Sequence, residues 1–157
     1  NKKIDFSVQF GAGDSVYAYI TDLDSRDRFI GTGVQYSEGQ FWHQLQANLS
    51  EVEAVSHKSD YNSYKLYLMQ YQINYFISQY HHVNFLLQYQ DYNYGGIHPF
   101  WLEIRSESLY RSSLSWRYYL EDNWTWQLSL KHAQKHSNLA IYEYDRNEIS
   151  FGFMKQF

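Results

Sequence analysis

The sequence predicts an all-β fold: a closed antiparallel transmembrane β-barrel of about eight strands, occupying residues 1–157 as one domain. Three observations predict it. Apolar side chains recur at every second position, as at Ile149, Phe151 and Phe153, with Ser150 and Gly152 between them, the period that puts one face of a strand in an apolar environment. Charged residues make up 19% of the chain and aromatic residues 20%, less charge than a soluble surface usually carries. Short turns and long charged loops alternate, as they do at the two rims of a membrane barrel. A negative mean hydropathy is compatible with this wall, because only alternate residues would meet lipid. No run approaches the roughly 20 apolar residues that a membrane-spanning helix needs.

The first segment, Lys3 to Leu23, keeps one phase: Ile4, Phe6, Val8, Phe10, Ala12, Val16, Ala18 and Ile20 oppose Asp5, Ser7, Gln9, Gly11, Gly13, Tyr17 and Tyr19. Preserved phase predicts one long strand bent at Gly11-Ala12-Gly13, with a hairpin at the glycines as the alternative. Thr21 to Arg28 reads as a charged loop. Phe29 to Tyr36 is the second strand, and the turn Ser37-Glu38-Gly39-Gln40 leads to a third from Phe41 to about Ser50. The polar stretch Glu51 to Asn62 is a loop, Ser63 to Ile77 the fourth strand, Ser78 to His82 a short turn and Val83 to Tyr94 the fifth strand. Gly95 to Arg105 contains the only proline, Pro99, and reads as a loop, Phe100-Trp101-Leu102 being a possible strand extension. A sixth strand runs from about Leu109 to Leu120, Glu121-Asp122-Asn123 turns, and the seventh covers Trp124 to about Lys135. The loop Ser137 to Asn147 precedes the last strand.

Short turns near Ser37, Ser78 and Glu121 then share one rim and long loops near Asp24, His57, Gly96 and Tyr142 the other. In outer-membrane barrels the short turns are periplasmic, so both termini are expected on that side. Trp124, Trp126, Leu128 and Leu130 are expected to face lipid, as are Leu114, Trp116, Tyr118 and Leu120, with Trp124, Trp126, Tyr118 and Leu120 forming an aromatic girdle. One sheet of a soluble β-sandwich would also alternate, but its hidden face is normally built from Val, Leu and Ile, whereas here Tyr, Trp and Phe dominate.

The net charge of -4 argues against nucleic acid as a partner, and the absence of cysteine excludes disulfides and thiolate chemistry. His57, His81, His82, His132 and His136 have no metal-ligand spacing, the pairs falling at opposite rims; no metal or cofactor is expected. An eight-stranded wall encloses little more than its own side chains. The lumen is expected to hold Asp5, Gln9, Gln44, Gln46, Gln70, Gln72, Gln88, Gln90, Arg111, Arg117, Lys131 and Glu148, a set close to charge balance. Its ionic network is Asp5, Arg111, Arg117, Lys131 and Glu148, read either as a selective pore or as a solid polar core.

The stretch Ser137-Asn138-Leu139-Ala140-Ile141-Tyr142-Glu143-Tyr144-Asp145-Arg146-Asn147-Glu148-Ile149, continuing to Lys155-Gln156-Phe157, resembles the end of a large group of Gram-negative barrels. Among them are the surface lipoprotein assembly modifiers and other exporters whose barrel follows tetratricopeptide repeats. The resemblance covers about the last fifty residues and rests on a Ser-Asn start, a Tyr-x-Tyr-x-Arg-Asn loop and a terminal aromatic. It implies a bacterial outer-membrane location, contact with lipid and lipopolysaccharide, and handling by the barrel assembly machinery, with Ile149, Phe151, Phe153 and Phe157 as the assembly signal. Residues 1–157 show no tetratricopeptide-repeat pattern. The expected role is therefore a non-enzymatic anchor, scaffold or narrow pore without cargo translocation, open to partnership with other envelope proteins.

One catalytic alternative stands beside it. His132, His136, Ser137 and Glu148 lie near the long-loop rim, and a His-Ser-carboxylate set is the minimum for nucleophilic hydrolysis. The small outer-membrane lipid A deacylases are similar in size, with His-x-Ser on the penultimate strand and a Glu on the last. In this chain His132-Ala133-Gln134 lacks the serine and Lys135-His136-Ser137 lacks the histidine at that spacing. A soluble β-sandwich binding module is the third reading.

Overall fold

Eight antiparallel strands form one meander in a computed structural model that describes residues 2–16, 24–120 and 123–155. They are β1 (Lys2–Ser15), β2 (Ser25–Glu38), β3 (Phe41–Ala54), β4 (Tyr64–Phe76), β5 (His81–Ile97), β6 (Ile104–Tyr119), β7 (Trp124–Ser137) and β8 (Tyr144–Lys155). Each strand pairs with its neighbours in sequence, so the sheet order is β1 through β8. Short 3-10 turns, His57–Asn62 and Ala140–Tyr142, sit in two of the long connections. Between β2 and β3 the chain reverses through Gly39 and Gln40, where the φ of +60° at Gly39 is supplied by glycine without steric cost.

The strand count agrees with the sequence, but the strand ends do not. β2 begins at Ser25, β3 runs on to Ala54, β5 to Ile97 and β7 to Ser137, while β6 starts at Ile104 and β8 at Tyr144. These extensions replace hydrophobic alternation by charge alternation: Arg26 meets Asp14, Arg28 meets Glu51 and Glu53, and Lys65 meets Glu51 across neighbouring strands. A reading that ends a strand where apolar residues stop misses them. β1 ends at Ser15, and the rest of the first strand expected to reach Leu23, residues 17–23, lies outside those described. The segments around Phe6 and Phe153 share one sheet but occupy its opposite edges, and no pairing joins β1 to β8 among the described residues. The sheet is open.

Directly paired residues in an antiparallel ladder share a face, and the register therefore sorts the side chains into two sets. One face carries Phe6, Val34, Leu45, Tyr71 and Leu87 in a single row of partners; the other carries Asp5, Gln35, Gln44, Gln72, Leu86, Ser113, Lys131 and Glu148. Burial runs against composition. The most enclosed strand residues, His82, Gln90, Glu107, Leu109, Ser129 and Ala133, all belong to the polar set, whereas Phe6 is 80% exposed, Phe10 83% and Ile149 76%. Side chains crowd on the inside of a curve and splay on the outside, so the polar face is concave and the apolar face convex.

On the convex face the apolar residues form a band that crosses the ladders obliquely. The row Phe6, Val34, Leu45, Tyr71, Leu87, Ser112, His132, Asn147 is apolar to its fifth member and polar after it. Toward the short turns, the row Lys2, Glu38, Phe41, Tyr75, Val83, Trp116, Leu128, Phe151 is polar in its first two members and apolar thereafter. Strands inclined to the band produce this stagger, as tilt does in a barrel wall. Aromatic contacts edge the band on both sides. Phe41 stacks on Tyr75 at 4.2 Å, His81 on Tyr118 at 4.6 Å and Trp124 on Phe153 at 4.3 Å near the short turns, and Tyr89 leans on Tyr110 at 4.8 Å near the long loops.

The turn His57–Asn62 closes over the end of β5, where the Gly95 amide donates to the Ser63 carbonyl at 2.8 Å. A Cβ on Gly96 would overlap the backbone of Asp60 and Tyr61, while one on Gly152 would meet only the Gln127 Cβ at 3.9 Å. Gly96→Val should therefore cost about 1–3 kcal/mol in stability, and Gly152→Ala should leave the midpoint of denaturant unfolding near that of the parent. Equal midpoints for the two variants would show that the turn does not dock on β5 as described.

Candidate functional site

The concave face is where polar side chains are most enclosed, and its chemistry changes from one half to the other. Across β1 to β4 it is mostly amide. Gln9 Nε2 donates to Asn48 Oδ1 at 3.3 Å, reaching over β2 at Gly31, where a Cβ would collide with the Asn48 side chain. Gln88 Nε2 donates to Gln70 Oε1 at 3.3 Å, which carries the amide row from β5 back to β4. At the short-turn end, Asn84 Nδ2 donates to Asn74 Oδ1 at 3.0 Å, and His82 Nε2 lies 2.9 Å from the same oxygen. Amides satisfy one another without net charge, which keeps the cost of enclosing them low.

Across β5 to β8 the face becomes cationic. Arg105, Arg111 and Arg117 repeat at six-residue intervals along β6, and Lys131, Lys135 and Arg146 flank them on β7 and β8; the carboxylates on this half are Glu107 and Glu148. The other half carries Lys3, Asp5 and Asp27. All twelve residues expected in the lumen do lie on the concave face, but the expected charge balance does not extend to the face as a whole. Arg105, Lys135 and Arg146 shift it, and each stands in or beside a segment that reads as a loop from sequence.

At the long-loop rim these charges form an enclosed knot. The Glu107 side chain is 2% exposed, with Lys135 Nζ at 2.8 Å from Oε2 and Arg105 Nε at 3.6 Å from Oε1. Tyr94 Oη donates to Oε2 at 3.3 Å. The Arg105 guanidinium lies 3.7 Å from the centre of the Tyr94 ring and 4.5 Å from that of Tyr142, an arrangement in which ring faces attract the cation. His98 Nε2 meets Tyr142 Oη at 3.2 Å, and the His98 ring contacts Tyr61. Asn138 closes the same rim: its Oδ1 accepts from the Ser106 amide and its Nδ2 donates to the Ile104 carbonyl, both at 2.9 Å. Residues of three long connections, Tyr61, His98 and Tyr142, thus join in a chain of contacts that reaches Glu107 through Arg105. Sequence reading missed Glu107 because it falls between a predicted loop and a predicted strand; the alternation Arg105, Glu107, Leu109 was the available signal.

The expected ionic network is only partly joined. Lys131 Nζ sits 2.8 Å from Glu148 Oε1, and Arg146 reaches Glu148 Oε2 at 3.6 Å. Arg111 donates to Gln88 at 3.4 Å and Arg117 to Gln127 at 3.2 Å, both amides rather than carboxylates. Asp5 pairs with Lys3 on its own strand at 2.9 Å, far across the sheet from the rest. The four residues of the catalytic alternative divide between faces. His132 and His136 are in the convex set, with His132 Nδ1 3.0 Å from Asn147 Oδ1, while Ser137 and Glu148 are in the concave set. Ile149, Phe151 and Phe153 line the convex edge of β8, and Phe157 lies outside the described residues. Among the described residues, no group of three His, Asp or Glu side chains is placed to hold a metal ion, and no helix is long and apolar enough to cross a membrane.

Comparisons with protein-family models, with curated proteins and with solved structures give no match. Geometry alone carries the functional reading.

Removing one partner from an enclosed ion cluster leaves uncompensated charge. Glu107→Ala should destabilise the protein by about 3–5 kcal/mol, while Glu148→Ala, whose partners are open to solvent, should leave the unfolding midpoint unchanged. A silent Glu107→Ala would show that the rim knot holds nothing together.

Proposed function

We propose that this sheet is the wall of a bacterial outer-membrane β-barrel that acts as a non-enzymatic anchor, scaffold or narrow pore. The observation that carries the proposal is the inversion of the two faces: an exposed convex band of Phe, Leu, Ile, Trp and Tyr between aromatic edges, and a polar concave face that is the more enclosed. Water penalises such a convex surface and lipid favours it. The oblique band adds to this support, because strands tilted in a slab of lipid place their apolar segments at successively shifted registers. A soluble sandwich would cover the apolar face with a second sheet, whereas the described residues form one layer.

Lipid offers no hydrogen bonds, so the free edges of β1 and β8 need partners there. The reading therefore includes closure, with the segment near Phe6 brought to the segment near Phe153 as its narrowest form. Their apolar stretches, Ile4 to Phe10 and Ile149 to Phe153, belong to the same convex face. Partners in this reading are outer-membrane lipid, lipopolysaccharide, the assembly machinery and other envelope proteins. The division of His132 and His136 from Ser137 and Glu148 favours a non-enzymatic role over lipid hydrolysis.

Refolding into lipid vesicles tests the reading, with flotation and heat-dependent gel migration as the measurements. Arginine on the lipid face near mid-membrane costs roughly 2–4 kcal/mol. Trp116→Arg and Leu128→Arg should lower the inserted fraction, and Gln127→Ala on the concave face should have a mild effect. Equal insertion of all three would mean that the convex band does not meet lipid.

A further inference from the structure

We infer that the concave face over β6 to β8 holds a binding cup for the phosphate or carboxylate group of an anionic ligand. The inference rests on the proposed reading only in taking the concave face to be the lumen wall. Arg111, Ala133 and Arg146 are direct partners in one row across three strands. Adjacent strands are about 4.8 Å apart, so the two arginine backbones stand roughly 10 Å from each other, with only the alanine methyl between them. Lys131 is the next concave residue on β7. A cavity of about 260 Å³ opens here, lined by Arg111, Lys131, Arg146, Glu148 and Ser113.

Charge decides what fits the cup. Glu148 is shared by Lys131 and Arg146, which leaves the cup with two positive charges in excess. Among the described residues, Arg111 has an amide partner at 3.4 Å and no carboxylate. Guanidinium groups match carboxylate and phosphate oxygens in fork geometry, and a Ser113 hydroxyl adds a neutral donor. The chain as a whole carries a net charge of -4, so this half of the concave face gathers positive charge against the overall balance. Arg105 and Arg117, six residues to either side of Arg111, lie about 20 Å away along β6. They extend the positive strip from one rim toward the other, and rings of Arg and Lys are what anion-selective pores use.

Calorimetry on the refolded chain, with inorganic pyrophosphate and citrate as separate probes, tests the cup. Saturable binding of either probe supports it, and the stronger of the two identifies the preferred acid group. Arg111→Gln and Arg146→Gln should each weaken binding about tenfold, the loss expected for one hydrogen bond to a charged group. Ala133→Leu should fill the cup and abolish binding, and Arg26→Gln on the convex face should change nothing. No saturation by either probe in folded protein, or equal weakening by Arg26→Gln, overturns the site. Flotation of the same preparations separates the two claims: insertion without anion binding removes the cup alone, and anion binding by folded protein that never enters vesicles keeps the cup and removes the membrane reading.

Discussion

The whole structure depends on backbone pairing across seven antiparallel ladders, broken in β5 by a register shift between Asn93 and Ile97, because few side chains are enclosed between the strands. Among the described strand residues, the enclosed apolar side chains are Leu109 and Ala133; a sheet with so little core gains little from burial between its own side chains. The ladders fix the register, and the register alone decides which residues become convex and which concave. A slip of one residue in any strand would carry its apolar set to the polar face. Hydrogen-bond geometry here does the work that core packing does in a soluble domain.

Curvature follows from side-chain size on the two faces. Gly31 and Gly33 on β2 leave room on the concave side for Gln9, Asn48 and Ser7 to lean across the strand. Bulky apolar residues such as Phe6, Phe10, Leu45 and Ile149 stand on the outside, where they remain exposed. Polar groups drawn together in this way need mutual satisfaction, which the amides of β1 to β5 provide without charge. On β5 to β8 the ions are less evenly matched, and their one deeply enclosed carboxylate, Glu107, is also where the chain of contacts from the long connections ends.

Most of the architecture was legible from the period-two pattern, since that pattern is itself the physical cause of a strand with two unlike faces. The eight strands and the facing of Gln44, Gln70, Gln88, Arg111 and Lys131 follow from it directly. Strand ends were less legible. Beyond the apolar band the alternation continues in ions, so Arg26, Arg28, Glu51 and Glu53 read as loop by hydropathy though they pair as strand. The rim knot was hidden for a related reason: Arg105, Glu107, Lys135 and Tyr142 come from three separate segments, and only the register brings them together. Distances between nonadjacent strands have no local signal, and the proposed seam between the segments near Phe6 and Phe153 is of that kind.

In the proposed bilayer setting, an apolar band oblique to its ladders would tie pairing to bilayer thickness. In the proposed setting, each strand's apolar stretch matches the slab only at the register its neighbours impose, so sliding one strand by two residues would push side chains such as Phe41 or Ile30 out of the hydrocarbon while keeping every face correct. Lipid thickness thereby acts as a second gauge of alignment, independent of side-chain alternation. A thicker or thinner bilayer would be met by a change of strand inclination rather than by re-pairing. In that setting, once pairing and facing are fixed, tilt is the coordinate left to absorb a change in thickness.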